Sequence, residues 1–313
     1  MKKFTALLLA AVLATGLLTA CGNGGAGENA AENAGQETTD TPDAAAGEDA
    51  QDSGEENADA QEDSAEASGS EDADGVDTQD GTEEVSPVLA DGKLTVGTNA
   101  EFPPFEFVGD DGEPDGFDVA LIKAIGEKLG VEVEMENMEF DALVASIGSK
   151  IDIAIAGMTV SDERKKSVDF SDPYYDALQY VILPEGSEIA TFDDLAGKTI
   201  GVQLGTTGDF IASDDVDGAT VKQYNKGVDA VNDLVNGRLD CVIIDKNPAL
   251  VFAGKFEGQL TAVDGAQFGF EVENYAIAIP KGDSALLNAV NGALKEIRED
   301  GTFDELVKTY IEN

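Results

Sequence analysis

Residues 156–175 read AGMTVSDERKKSVDFSDPYY. An apolar run, IDIAIAG (151–157), leads into this stretch and ends in small residues, the pattern of a buried strand opening into a turn. Three cations, Arg164, Lys165 and Lys166, then stand together in a chain with 64 acidic and only 19 basic residues. Thr159 or Ser161 can cap a helix that begins near Asp162, and Thr159-x-x-Asp162 fits a capping box. Such a helix start favours an anion, and an arginine on its first turn can add a bidentate fork to a carboxylate. Arg164 can equally be a surface residue paired with Asp162, Glu163 or Asp169.

Working outward, short β-branched runs alternate with amphipathic stretches. KLTVGT (93–98), VEVEME, IDIAIAG, KTIGVQLG, ATVKQY, DCVIID and ENYAIAIP predict strands. FDVALIKAIGEKLG (117–130), FDALVASIGS, TTGDFIAS, VDAVNDLVNG, 283–299 and 302–311 predict helices or helix starts. The alternation implies an α/β fold with mostly parallel sheets, in two similar rounds that suggest two lobes. In open α/β sheets ligands sit at the carboxyl ends of strands. Four tips therefore stand out: GTNAEFPPFEF, AGMTVSDER, VQLGTTGD and IIDKNP. The first is a core segment or a stiff aromatic wall; in the last, Asp245 can cap the next helix or hold an ammonium group. VQLGTTGD lacks the lysine of a phosphate loop. DGEPDGFDVALI places Asp111, Glu113, Asp115 and Gly116 as in a calcium loop, but Ile122 stands where a bidentate glutamate is required, which makes it a surface turn.

The ends of the chain are different material. Residues 1–21 carry two lysines, an apolar run and small residues before Cys21, the layout of a secretory signal. Leu18-Thr19-Ala20-Cys21 resembles the bacterial lipobox, in which the cysteine is lipidated and becomes the new N-terminus. Residues 22–87 contain 21 acidic and no basic residues and almost no large apolar ones, a composition expected to be disordered and extended, as a tether. The remainder, with 43 acidic and 17 basic residues, is itself acidic, which argues against nucleic acid. Histidine is absent, which removes the commonest metal ligand and general base, and neither metal nor cofactor is expected. Cys241, in an apolar run, reads as a core residue.

VGTNAEFPPFEF, GFDVALIKAIGEKLG, AGMTVSDERKKSVDFSDPYY, IGVQLGTTGD, DCVIID and DGTFDELVKTYI resemble, in order and spacing, the solute-binding proteins of polar-amino-acid ABC transporters. The glutamine-binding and lysine/arginine/ornithine-binding proteins belong to that family. The resemblance spans residues 93–313 and implies a type II periplasmic-binding-protein-like clamp with two inter-lobe crossings, near Tyr174–Leu178 and Glu271–Tyr275. Lobe 1 would comprise 88–179 with 273–313, and lobe 2 residues 180–272. By position, Arg164 would grip an α-carboxylate, with Thr159 and the Gly157 backbone adding hydrogen bonds and Thr207 closing over it. Asp245 would take the α-ammonium, Phe102 and Phe140 would flank the ligand, and Asn99 and Gln203 would face its side chain.

Asn99 and Gln203 are neutral amides where cationic-amino-acid binders carry an aspartate and the glutamine binder a lysine, so a polar uncharged amino acid such as glutamine is expected. Glu101 and Asp141 lie close enough in sequence to serve a cationic one. The implied protein is a monomeric lipoprotein on the outer face of the bacterial cytoplasmic membrane that delivers an amino acid to a permease. The alternatives are a dehydratase of the prephenate/arogenate class, for which no general acid stands out, and a chemosensory receptor.

Overall fold

The computed structural model describes residues 86–312. The expected signal segment, the lipidation of Cys21 and nearly all of the acidic segment fall outside the described residues.

After a turn at Pro87–Leu89 the chain forms β1 (Lys93–Thr98), the short strands β2 (Glu101–Phe102), β3 (Glu106–Val108) and β4 (Pro114–Asp115), then α1 (Phe117–Leu129) and β5 (Glu132–Asn137). Next come α2 (Leu143–Ser146), β6 (Ile153–Ala154), β7 (Val168–Phe170), β8 (Tyr175–Ala177) and β9 (Gln179–Pro184). Then follow β10 (Thr199–Gln203), α3 (Thr207–Phe210), β11 (Thr220–Tyr224), α4 (Gly227–Val235), β12 (Cys241–Asp245), α5 (Lys246–Lys255) and β13 (Leu260–Asp264). The chain ends with β14 (Glu273–Tyr275), β15 (Ala278–Pro280), α6 (Ser284–Glu299) and α7 (Thr302–Tyr310).

Two five-stranded sheets result, ordered β5-β1-β6-β15-β7 and β11-β10-β12-β9-β13. The two rounds of the sequence are thus two copies of one arrangement. In each, a first strand is flanked by parallel partners (β1 by β5 and β6, β10 by β11 and β12). One strand in each sheet, β15 or β9, runs antiparallel to its neighbours. Each of these strands follows a crossing between the lobes, so it enters its sheet against the direction of the βα units. The crossings themselves, β8 and β14, pair antiparallel as a two-stranded ribbon.

Local sequence explains the elements. α1 buries Phe117, Leu121, Ile122 and Ile125, one face at helical spacing, and stops where Gly130 adopts φ +71°. It packs on α6, whose Leu286, Val290, Ala293 and Ile297 repeat at three and four residues. β5 alternates because it is an edge strand: Val133 and Met135 turn inward and its glutamates outward. Cys241 is fully buried in β12, among residues such as Ile200 and Ile243.

Three expected elements differ. FDALVASIGS forms a 3-10 turn at Phe140–Ala142 and only a short α2. ENYAIAIP divides into β14 and β15, because its first half belongs to the crossing ribbon and its second to the first sheet. IDIAIAG contributes only Ile153–Ala154 to the ladder, because its last residues leave the sheet to line the cleft. In the former calcium-like stretch, Asp111 closes a turn onto the Glu113 amide and Asp115 accepts from Tyr310.

Candidate functional site

The carboxyl ends of β1, β6, β10 and β12 converge on one small cavity. Asn99, Phe102, Phe140, Gly157, Thr159, Arg164, Gln203, Thr207 and Asp245 all line it, joined by Ala156 and Thr206.

Arg164 is 9% exposed, and the surface-residue alternative fails on that number. Its Nη1 donates to the Thr159 carbonyl at 2.6 Å and its Nη2 to the Gly205 carbonyl at 3.0 Å. The guanidinium lies 5.3 Å from the centre of the Phe140 ring, within cation–π range. Two of its five N–H donors are thereby engaged with carbonyls, which leaves donors for a carboxylate. Burial lowers its pKa, while the negative charges of Glu273 and Asp245 oppose that shift. The expected helix at Asp162 is absent: the segment is one 3-10 turn, Arg164–Lys166, and Ser161 rather than Thr159 accepts from the Arg164 amide. A single turn has no macrodipole of consequence, so anion recognition here rests on the side chain of Arg164.

Asp245 occupies the N-cap position of α5 yet caps nothing with its side chain. Its Oδ1 instead accepts from the fully buried Tyr275 hydroxyl at 2.5 Å. Burial, reinforced by the charge of Glu273, pushes its pKa up to about 7. A carboxyl this poorly solvated gains most from a cation brought to it.

Sequence reasoning missed Glu273. It sits on the crossing strand β14, where its Oε2 accepts from Thr159 Oγ1 at 2.5 Å and, at 3.5 Å, from Gln179 Nε2. Burial raises its pKa, and the Thr159 and Thr207 hydroxyls hold it back. The available signal was spacing: Glu273 and Tyr275 share one face of a strand, and Tyr275 contacts Asp245.

The opposite end of the cavity is amide-lined. Gln203 Nε2 donates to Asn99 Oδ1 at 2.8 Å and to the Asn225 carbonyl at 3.1 Å, while Asn99 Nδ2 donates to the Met138 carbonyl. Near it, Glu101 is paired with Lys226 at 2.6 Å, so the acidic residue nearest in sequence to Asn99 is already neutralised. Gly157 has φ +52°, and a Cβ there would stand 2.9 Å from Phe102 Cε1. Its amide donates to Asp118 Oδ2 at 2.7 Å, and Tyr174 donates to the same oxygen at 2.6 Å. Asp118, at about 6, and Glu106 both have burial-raised pKa values and sit together without a cation; a neutral Glu106 can share its proton with Asp118.

A cavity lined by strand ends of two similar α/β lobes, holding one buried cation and one buried carboxylate, defines a solute-binding clamp rather than a nucleotide or nucleic-acid site. The chain belongs to the bacterial extracellular solute-binding proteins, family 3, whose profile matches residues 94–313. It is 38% identical over 223 residues to the L-cystine-binding protein TcyJ of Escherichia coli, spanning 70% of this chain and 83% of that one. Among solved structures, an ancestral arginine-binding protein bound to glutamine is 41% identical, with a TM-score of 0.67 over 71% of this chain and 99% of that one. The ancestral amino acid-binding protein AncCDT-1, a precursor of cyclohexadienyl dehydratase, is 36% identical, with a TM-score of 0.65 over 71% and 97%.

Proposed function

We propose that the chain captures a free amino acid with a polar, uncharged side chain, glutamine foremost, and hands it to an ABC permease. In this reading it is a monomer held by lipid on Cys21 at the outer face of the cytoplasmic membrane, with residues 22–87 as its tether. Lobe 1 is 88–179 with 273–313, and lobe 2 is 180–272. The observation that carries the reading is the pairing in one cavity of a buried guanidinium and a buried carboxyl: Arg164 for an α-carboxylate and Asp245, which an ammonium would ionise, for an α-ammonium. Thr159 and Thr207 complete the carboxylate end, and Phe102 and Phe140 flank the ligand. The Gly157 amide, expected to join them, is engaged by Asp118, which leaves only its carbonyl, an acceptor suited to the ammonium.

The preference for an uncharged side chain rests on Asn99 and Gln203. Beyond their mutual bond, Asn99 retains an amide hydrogen and Gln203 a carbonyl oxygen, the two partners that a primary amide needs. The Glu101–Lys226 pair removes the charge that would draw a guanidinium. Relatives named for cystine and arginine share the scaffold, so side-chain choice lies in these few positions. The same relatives are binding proteins, and the role is read as capture without turnover.

The test is a thermal-shift panel of the twenty amino acids, ornithine and cystine on the full chain. A ligand that binds only the folded state raises the midpoint by mass action. Glutamine is expected to give the largest shift. A largest shift with arginine would overturn the side-chain assignment, and no shift with any amino acid would overturn the class. Turnover of arogenate or prephenate would establish the enzyme instead.

A further inference from the structure

Glu273 is the charged group of the site with no assigned role. It stands at the meeting of both lobes, contacted by Thr159 from the loop after β6 and by Gln179 from β9. The titratable groups around it are Arg164 from the 3-10 turn, Asp245 at the end of β12 and Tyr275 on its own strand. Thr159 carries a single hydroxyl proton, and that proton is directed to Glu273.

A single proton is too few for the role proposed for Thr159. A ligand carboxylate held by Arg164 and Thr159 needs the same proton. With both carboxylates ionised, two acceptors would compete for one donor beside a single guanidinium. We infer that Glu273 is a positioning residue of the binding site that takes up one proton from solvent on ligand capture, then donates it to Thr159 Oγ1 so that the Thr159 hydroxyl turns to the ligand carboxylate. The exchange balances: one hydronium proton becomes the Glu273 carboxylic hydrogen, the Thr159 hydroxyl keeps its own hydrogen, and no covalent bond to carbon changes. The incoming negative charge and the sharing of Arg164 both favour the neutral form of Glu273, in the direction that burial already sets. The Gln179 amide, which also reaches Oε2, and the Thr207 hydroxyl remain as neutral partners of the Glu273 carboxyl.

The inference rests on the amino-acid reading of the site, and the experiment separates the two. Isothermal titration of L-glutamine into the full chain, with L-arginine and L-cystine as further probes, is run in buffers of different ionisation enthalpy across pH 5–8. The slope against buffer enthalpy gives the protons bound per ligand. Asp245 contributes with the opposite sign, because an ammonium partner drives its proton off, so the readout is the difference between wild type and Glu273→Gln. The amide introduced by Glu273→Gln cannot be protonated but can present a donor of the same shape to Thr159. The expected result is that the wild type takes up more protons per ligand than the variant, by as much as one at the pH of the largest difference. Its affinity should also fall with rising pH more steeply than the variant's. Thr159→Val breaks the link from its other end and should lose the same proton, which keeps the inference testable if Glu273→Gln does not fold. Binding with equal proton numbers in wild type and variant would overturn the inference alone. Absence of binding by any amino acid to the wild type would overturn the amino-acid reading and the inference with it.

Discussion

Replacing Arg164 by alanine is the sharpest test of the carboxylate site. The side chain is buried, and no other cation lines the cavity among the described residues. Removing it leaves a ligand carboxylate with neutral donors only, in a space that closure shields from water. Breaking a buried charge pair by deleting one partner costs about 3–5 kcal/mol. At about 1.4 kcal/mol per decade that is roughly a 150- to 4,000-fold loss of affinity. The fold should suffer less. The two carbonyl bonds from Nη1 and Nη2 are lost, at about 1.5–3 kcal/mol each for charge-assisted bonds, but the desolvation of a buried guanidinium is relieved at the same time. Titration calorimetry with glutamine reads the affinity, and thermal denaturation without ligand checks the fold. Arg164→Lys keeps the charge without the planar fork and should fall between the two. An affinity within a few-fold of wild type for a well-folded Arg164→Ala would refute the reasoning and place the carboxylate elsewhere.

Two other outcomes follow from the geometry. Asp245 holds its proton up to about 7 in the folded chain, whereas an ordinary aspartate loses it near about 4. Its ionisation therefore opposes folding: its contribution is favourable below about pH 4 and is lost as pH rises through about 7. The thermal midpoint of ligand-free Asp245→Asn should accordingly fall less between pH 4 and 7 than that of the wild type, and parallel curves would contradict the assignment. Lys226→Met should release the charge of Glu101 towards the amide end of the cavity and strengthen L-arginine binding by about fivefold, the scale of about 1 kcal/mol for one exposed-side ion pair. Arginine affinity that does not move, or that moves together with glutamine affinity, would show that Glu101 does not reach the ligand.

What the sequence disclosed and what it hid divide along physical lines. The two rounds of strand and helix were legible because each α/β unit carries its own periodicity, as in Phe117–Leu129 and Cys241–Asp245. The nine residues singled out line one cavity because each ends or follows a strand, and strand ends of both lobes face the same cleft. Helix starts were read less well. Thr159-x-x-Asp162 fits a capping box, yet Thr159 turns to Glu273, 114 residues away. A tertiary carboxylate outcompeted the local cap, and no window of sequence contains both groups. Asp245 was ambiguous for the same reason: its cap position is local, while the Tyr275 hydroxyl that occupies it arrives on the return crossing. The small hairpin strands around Phe102–Phe107 were not anticipated, and the helix Lys246–Lys255 was foreseen only through the cap position of Asp245, not from its own periodicity. The latter begins Lys-Asn-Pro and lacks a marked apolar stripe, so its burial is set by the sheet beneath it.

The contacts that join the lobes bear on how capture and closure are coupled. Arg164 reaches Gly205, Gln203 reaches Asn99, Lys226 reaches Glu101 and Asn247 reaches Tyr175. All four are polar, as is a fifth from Tyr275 to Asp245, and three of the five use side chains that line the cavity. Net, such bonds contribute about 0.5–1.5 kcal/mol each when neutral and somewhat more when charged. Their sum is a few kcal/mol, set against the ordering of several long side chains and the desolvation of Arg164 and Asp245. Closure without a ligand sets these modest polar gains against those costs. A zwitterion alters that balance only because its two charged ends belong to different lobes: Arg164 precedes the first crossing and Asp245 follows it. A ligand held by one of them gains nothing from closure, whereas one held by both binds the closed form alone. An equilibrium moves only as far as the ligand's affinities for its two states differ. An amine without a carboxylate, or a carboxylic acid without an amine, should for that reason leave the clamp's open–closed distribution nearly unchanged even where it binds.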